Sequence, residues 1–357
     1  MRIALTHDYL NQFGGAERVL ETLAEMYPEA PIYTLFYDAS ALNGRFKERI
    51  KKTSFLDKRI IRKRHRMFIP LMPFAAHSVN LGNSYDVIIS NSVGFGKAMR
   101  YKRARHIYYC NALLRYAWSP EVHLKEVLPE WLYPLAYLAS LAMKVWDRKT
   151  ALKADVIIAN SEYTRQRIKT FYEKDAPIIY PPVDTDFFCP LNNIKNYYLA
   201  VGRFLPYKKF DLVVRAFNEL RLPVKIVGDG REYEKLKSLA CGLNIEFTGF
   251  IHDPEKLREL YRNAKGFLFP QVEDFGLVAA EALACGTPVI GFDAAGAKEM
   301  VIPEVNGILF KEQSAEALIE AVNKFEKLDF NPADVAKTAE KFSKKEFIRR
   351  FREIVGE

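Results

Sequence analysis

The four cysteines of this 357-residue chain, Cys110, Cys189, Cys241 and Cys285, are scattered and form no C-x-x-C pair. Neither a disulfide framework nor a zinc site is indicated. No apolar run reaches the roughly 18 residues that a membrane-crossing helix needs. Residues 2–6 already read as a strand, so neither a secretory leader nor a spanning helix is expected, and the cytoplasm is the expected compartment. The dinucleotide fingerprint G-x-G-x-x-G is missing too. Gly14-Gly15 does not fit it, and after Gly94-Phe95-Gly96 the third glycine position holds Met99. A nicotinamide dehydrogenase is thereby disfavoured. No nucleic-acid-binding motif is present, so no nucleic-acid partner is expected.

What is present points to a two-domain α/β protein. Half the chain is hydrophobic, at 49%. The length suits two cores of roughly 150 to 200 residues each. Short apolar runs alternate with helical periodicity, the pattern of parallel sheets flanked by helices. The net charge of +9 is concentrated. Between Arg45 and Arg66 stand eleven Lys or Arg against Glu48 and Asp57, so this segment alone carries 11 − 2 = +9. Phe46, Ile50, Phe55, Leu56, Ile60 and Ile61 are interleaved, and an apolar stretch follows at 67–76. Basic residues beside aromatics fit an anionic membrane surface, each worth about 1 kcal/mol there. A solvated loop over a buried stripe is the alternative.

Residues 273–286 read E-D-F-G-L-V-A-A-E-A-L-A-C-G. Were all of it helical, Glu273 and Glu281 would stand roughly 80° apart, a poor shared face. The pattern makes better sense with Gly276 closing a loop and a helix starting at Leu277, so that Glu281 projects from the second turn. A helix start offers N–H groups to an anion, phosphate above all, while flanking carboxylates accept from sugar hydroxyls. A sugar nucleotide satisfies both. Upstream, Arg203 ends a strand and Lys208 precedes a helix at 210–220. A planar fork and a point charge at one strand edge suit a diphosphate.

The first half begins with a strand that His7 ends, then Gly14-Gly15 leads into a helix at 18–26. Further strands are expected at 31–36, 85–90, 105–110 and 154–160. Ligands of open parallel sheets sit beyond C-terminal strand ends, which nominates Asn111, Arg115 and Tyr116. His106, mid-strand, reads as a core histidine. The apolar stretch 128–145, interrupted by Pro134, reads as a buried or interfacial helix. Ser161 is positioned to cap a helix at 162–171. Pro181-Pro182 marks the crossing between domains. Asp184-Thr185-Asp186 follows after Val183 and is read as a hinge rather than a metal site. Strands at 224–227 and 245–247 follow, and the last stretch, 333–355, has helical apolar spacing in two sets.

In chain order, G-G-A-E at 14–17, Y-C-N-A-L-L-R-Y-A-W at 109–118, P-P-V-D-T-D-F-F at 181–188, G-R-x-x-x-x-K at 202–208 and E-x7-E at 273–281 resemble the motifs of retaining glycosyltransferases of family 4. The resemblance spans nearly the whole chain. It implies the GT-B fold: two doubly wound Rossmann-like domains facing across a cleft, with a C-terminal helix returning to the first. The domains would be 1–180 for the acceptor, 181–335 for the nucleotide sugar, and a returning tail at 336–357. Glu273 would bind hydroxyls of the transferred sugar, Glu281 those of the ribose. Asp274, Phe275, Gly276 and Leu277 would line the helix start. Arg203 and Lys208 would hold the diphosphate, and the backbone at Phe250 and Ile251 the base. Gly14 and Gly15 would face the donor, with His7, Arg115 and Tyr116 on the acceptor side. The family pattern Y-C-H-T-P-x-R-Y-x-W carries a histidine where this chain has Asn111, and proline where it has Leu113. Asn111 can still hydrogen-bond a sugar but cannot titrate.

The resemblance is strongest to mannosyltransferases of lipid-linked surface polysaccharide synthesis, through Y-T-L-F-Y-D at 33–38 and R-Y-A-W at 115–118. It implies transfer of mannose from GDP-mannose to a lipid-linked or oligosaccharide acceptor, with neither metal nor cofactor, on the inner face of the cell membrane. A UDP- or ADP-sugar donor, or a non-catalytic nucleotide-binding scaffold on the membrane, remain alternatives.

Overall fold

The computed structural model describes residues 1–120, 130–191 and 195–357. It divides into two compact units, residues 1–179 with 350–357, and residues 180–349. Each is an α/β unit around one six-stranded sheet.

In the first unit β1 (Ile3–His7), β2 (Ile32–Thr34), β3 (Ile50–Lys52), β4 (Val87–Ser92), β5 (Arg105–Cys110) and β6 (Val156–Ala159) are arranged β3-β2-β1-β4-β5-β6, every pair parallel. In the second, β7 (Tyr197–Val201), β8 (Val224–Val227), β9 (Ile245–Gly249), β10 (Ala264–Phe269), β11 (Val289–Phe292) and β12 (Gly307–Phe310) are arranged β12-β11-β10-β7-β8-β9, again all parallel. Counted from each unit's own first strand, both orders are 3-2-1-4-5-6. The strand order therefore reverses between β1 and β4, and again between β7 and β10. At such a reversal the following loops diverge and leave a crevice beyond the strand ends.

Helices cover both faces of a parallel sheet, so its central strands are buried on both sides. β1, β4 and β7 are buried at every position. Edge strand β3 ends on exposed Lys51 and Lys52, which discourage pairing with a second sheet.

Several elements differ in extent from the sequence reading. The first helix spans Gly15–Met26 and begins three residues before Arg18, because Glu17 caps it by accepting from the Gly14 N–H at 2.8 Å. Pro134 does not interrupt a helix. It sits in the first turn of Tyr133–Ala151, where no backbone N–H is needed. Leu128 and Pro129 lie outside the described residues. Tyr180 belongs to the second unit, its ring stacked 5.7 Å from Phe275. The tail divides rather than returning whole from residue 336. Val335, Ala339 and Phe342 are buried in the second unit's core, and only residues 350–357 belong to the first. There Arg105 donates to Val355 O at 2.9 Å and Ile354 O at 2.8 Å, capping the helix end.

His106 is a core residue, as its mid-strand position suggests. Its Nε2 lies 2.7 Å from Ser90 Oγ, and burial, reinforced by Lys97, pulls its pKa down to about 4. Below pH 6.5 the unfolded chain takes up a proton there that the folded chain refuses. Stability is therefore lost as pH falls through that window. His106 alone should remove about 2 kcal/mol between about pH 7 and about pH 5. Urea denaturation of wild type and His106→Gln at several pH values checks this: the variant's curve should be flatter by that amount.

Candidate functional site

In the second unit, the loops after β7, β8 and β9 are tied into one ledge beyond the strand ends. Gly202 N–H donates to Val227 O at 3.0 Å, Phe204 N–H to Asp229 O at 2.9 Å, and Gly228 N–H to Gly249 O at 3.0 Å. Gly228 has φ +145°, and a Cβ there would stand 1.9 Å from Gly202 O. Only glycine lets the two loops approach so closely. Arg203 stands exposed on this ledge, two residues past β7. Lys208 ends the 3₁₀ turn Pro206–Lys208, just before the helix Phe210–Leu220.

Across the β7/β10 reversal, Glu273 and Asp274 follow β10, and the helix Leu277–Ala284 begins with Gly276 as its N-cap in a left-handed conformation, φ +102°. The helix starts where the sequence placed it. Lys208 and Glu273 form an ion pair, their side chains only 12% and 17% exposed. Gln271 Nε2 also donates to Glu273 Oε1 at 3.2 Å. Gly296 N–H holds the Glu273 carbonyl at 2.9 Å. A Cβ on Gly296 would lie 1.7 Å from Phe275 O, so glycine is obligatory there. The structure thus joins Lys208, Glu273 and the helix start, with Arg203 on the neighbouring loop. An anion arriving at Lys208 must compete with Glu273 for it.

Glu281 is buried at 1% and accepts from Tyr261 OH at 3.0 Å. Phe250 is exposed, its ring 4.7 Å from His252, while Ile251 packs against the core. Asp184 Oδ1 accepts from Phe187 N–H at 3.0 Å and Asp186 pairs with Lys345 at 2.9 Å, so both aspartates are engaged locally.

The first unit has its own polar cluster at the β1/β4 reversal. His7 is buried, with Nδ1 2.8 Å from Asn91 O and Nε2 3.3 Å from Glu17 Oε1. Each ring nitrogen faces an acceptor, Nδ1 also lying 3.2 Å from Asn91 Nδ2, and the imidazolium can donate to both acceptors. Burial opposes that charge, yet the hydrogen bond to Glu17 and the charges of Glu17 and Asp8 outweigh it and raise the pKa. Asn91 Nδ2 donates to Ala16 O at 2.7 Å, and its Oδ1 accepts from Asn111 Nδ2 at 2.6 Å. Asn160 in turn donates to Asn111 O at 2.6 Å. A continuous chain of hydrogen bonds therefore runs from Gly14 through Glu17, His7 and Asn91 to Asn111. Asp8 beside it accepts from Ser92 Oγ at 2.7 Å and from the N–H groups of Val93, Phe95 and Gly96 at 2.5–2.7 Å, fixing the loop after β4.

Of the residues the sequence nominated in this unit, His7, Gly14 and Asn111 are brought together. Gly15 is the first residue of the Gly15–Met26 helix, and Arg115 and Tyr116 open the short helix Arg115–Trp118. Sequence reasoning missed Asp8, Glu17 and Asn91. The three-residue spacing from Gly14 to Glu17 is a capping signal that could have found one of them. Asn91 carries no local signal, because its partners come from other strands.

The basic segment is more structural than its charge suggested. Arg49 donates to Ala24 O at 2.9 Å and Tyr27 O at 2.6 Å, closing the end of the first helix. Arg62 pairs with Asp57 at 2.6 Å and Arg45 with Glu21 at 3.2 Å. Leu56 is buried at 2%, whereas Phe55 and Ile60 are exposed at 53% and 75%.

Comparison with known proteins places these clusters in context. Residues 13–187 match the family model described as Glycosyltransferase Family 4, and residues 185–345 the one described as Glycosyl transferases group 1. A GDP-mannose-dependent alpha-(1-6)-phosphatidylinositol monomannoside mannosyltransferase from Mycolicibacterium smegmatis is 31% identical over 206 residues, covering 49% of this chain and 54% of the relative. An uncharacterized glycosyltransferase from Methanocaldococcus jannaschii is 26% identical over 186 residues, 51% of this chain and 53% of its own length. The chain spans about half the length of these curated relatives. Among solved structures, HepE from Anabaena in complex with UDP superposes with a TM-score of 0.72 at 19% identity, covering 100% of both chains. WaaG, a glycosyltransferase involved in lipopolysaccharide biosynthesis, gives 0.65 at 17% identity over 99% of both. At these identities the structural likeness speaks for the fold alone, which is GT-B.

Proposed function

We propose that this chain, which belongs to the GT-B glycosyltransferases and joins the family 4 and group 1 domains in one polypeptide, transfers a hexose with retention from a nucleotide sugar to a lipid-linked or polysaccharide acceptor. The observation that carries the reading is the convergence of Arg203, Lys208, Glu273 and the helix start at Gly276 on the β7/β10 reversal.

The donor diphosphate lies against Arg203, Lys208 and the N–H groups opening the Leu277–Ala284 helix. As the bond from the sugar C1 to the phosphate oxygen breaks, negative charge grows on the leaving diphosphate. These fixed donors meet it without reorganising. Glu273, released from Lys208 by the incoming phosphate, accepts from hydroxyls of the sugar and orients C1. The acceptor oxygen attacks from the face the diphosphate leaves, and the departing phosphate takes its proton. Asn111, held by Asn91 and Asn160, can hydrogen-bond but cannot act as a proton donor or base in catalysis.

GDP-mannose is the favoured donor, supported by mannosyltransferase relatives that are 31% and 32% identical over about half of this chain. A UDP-sugar is the second reading, favoured by the structural likeness to HepE, solved with UDP and with UDP-glucose. The acceptor reading places the protein peripherally on the inner face of the cell membrane, held by the basic residues of segment 45–66. Release of nucleoside diphosphate from GDP-mannose, UDP-glucose and ADP-glucose, with and without membrane lipid extract, tests donor and acceptor together. Acceptor-dependent release of GDP alone is the expected result. Release of UDP alone would overturn the mannose assignment. Nucleotide binding with no turnover of any donor would overturn the transferase reading.

A further inference from the structure

Between residues 131 and 145, the helix Tyr133–Ala151 and the turn before it present an apolar outward face. Trp131, Leu135, Tyr137, Leu138, Leu141 and Val145 are 42–78% exposed, and no exposed position between 131 and 145 carries a charged side chain. At 1.5 Å and 100° per residue this face is about 21 Å long and covers about 200° of the helix. A surface helix of a soluble unit normally turns its polar side outward. Here the arrangement is inverted, and a patch of this size marks an interaction surface.

The inner face is well anchored. Met143 and Trp146 pack on the core that contains Leu56, Ile69 and Met72. Asp147 is fully buried and accepts from Lys97, Trp118 and Tyr172 at 2.5–2.7 Å. The helix is therefore held in place with its apolar side outward. No helix among the described residues is long and apolar enough to cross a membrane.

Two observations identify the occupant. At the end of the helix Arg148 pairs with Glu173 at 2.8 Å, and Lys144 and Lys149, with Asp147 buried, leave a basic flank. The segment that shares its core is basic as well, and exposes Phe55, Ile60, Met67, Leu71 and Phe74. A second copy docking face to face would bring like charges together, since a two-fold interface sets each patch against itself. Anionic lipid neutralises those charges and accepts the apolar face.

We infer that the Tyr133–Ala151 helix lies in the headgroup–acyl boundary of an anionic membrane, with Trp131 and Tyr137 at the interface and its basic end among the lipid phosphates. This deepens the membrane reading of segment 45–66 and rests on it. The basic segment supplies salt-sensitive adsorption, and the helix adds a salt-resistant hydrophobic part. Because Asp147 binds Trp118, a seated helix also holds the Arg115–Trp118 turn near the lipid, on the side assigned to the acceptor.

Flotation of the full-length chain tests this with vesicles of phosphatidylcholine, alone or with phosphatidylglycerol. Salt of about 0.05 M and about 0.5 M is used, between which the Debye length falls from about 14 Å to about 4 Å. Wild type should bind anionic vesicles at low salt and keep measurable binding at high salt. Leu135→Glu with Leu138→Glu should cut the high-salt binding about tenfold or more, because both charges would have to enter the interface. Lys58→Glu with Arg59→Glu should affect only the low-salt binding. Nucleotide titration of the same variants should be unchanged, which separates this proposal from the transferase reading. Retained high-salt binding in the leucine variant would overturn the helix's role, as would wild-type binding confined to low salt, which leaves the basic segment alone in contact. Loss in that variant of a self-association seen by sedimentation, with vesicle binding intact, would assign the face to a second copy instead.

Discussion

Arg203→Ala should lower sugar transfer at least ~10²-fold, the scale for losing one group that stabilises developing charge. Arg203 is exposed on the loop after β7, so its removal opens no core. Stability should stay within about 0.5 kcal/mol of wild type, as for other surface changes. A large rate loss with an unchanged melting curve separates a catalytic from a structural role. Glu273→Gln should cost a comparable factor by another route. It keeps the shape but removes the charge that pairs with Lys208 and leaves one acceptor oxygen, instead of two, for sugar hydroxyls. Donor binding should then survive better than turnover, because the freed Lys208 no longer has to be drawn away from a carboxylate. Release of nucleoside diphosphate under saturating donor reads both. Near-normal transfer by either variant would remove that residue from the site.

The largest stability effect belongs to Asp147. Asp147→Ala would leave Lys97 buried at 0% exposure without its carboxylate, and strip the acceptor from Trp118 Nε1 and Tyr172 OH. Breaking a buried pair from one side costs about 3–5 kcal/mol. That is a large part of the roughly 5–15 kcal/mol holding a typical domain together. Replacing both partners, Lys97→Met with Asp147→Leu, should cost much less, because no orphaned charge remains. All three tryptophans, Trp118, Trp131 and Trp146, lie in the first unit, so their emission during urea denaturation follows that unit alone. The single variant should unfold at markedly lower urea than the double. Equal midpoints would mean that the pair is not what anchors the helix.

The features that were legible in the sequence were those set by local chemistry. Gly276 before an Ala-rich run marked a helix start to the residue, and the apolar stretches at 105–110 and 224–227 became β5 and β8 with the same limits. Arg203, Lys208 and Glu273 were nominated because strand ends and helix starts are where a parallel sheet presents its ligands, and the structure brings Lys208 and Glu273 together. The relations between distant segments were not legible. Glu281 was read as an acceptor for ribose hydroxyls, and the contact that Tyr261 makes with one of its oxygens inside the core was not foreseen. Arg49 counted as one more basic residue in a charged run until its contacts with the first helix were known. The Asn111–Asn91–His7–Glu17 chain joins residues up to 104 positions apart, and no periodicity announces it. The stretch 128–145 was ambiguous because composition does not say which side of a helix faces inward.

The most direct test of the central claim is calorimetric titration of the full-length chain with GDP, UDP and ADP in parallel, repeated on Arg203→Ala. A nucleotide-sugar site at the β7/β10 reversal predicts saturable binding of one of them, GDP on the favoured reading, and its loss in the variant. Saturable binding that survives Arg203→Ala unchanged, or no binding of any of the three, would contradict it.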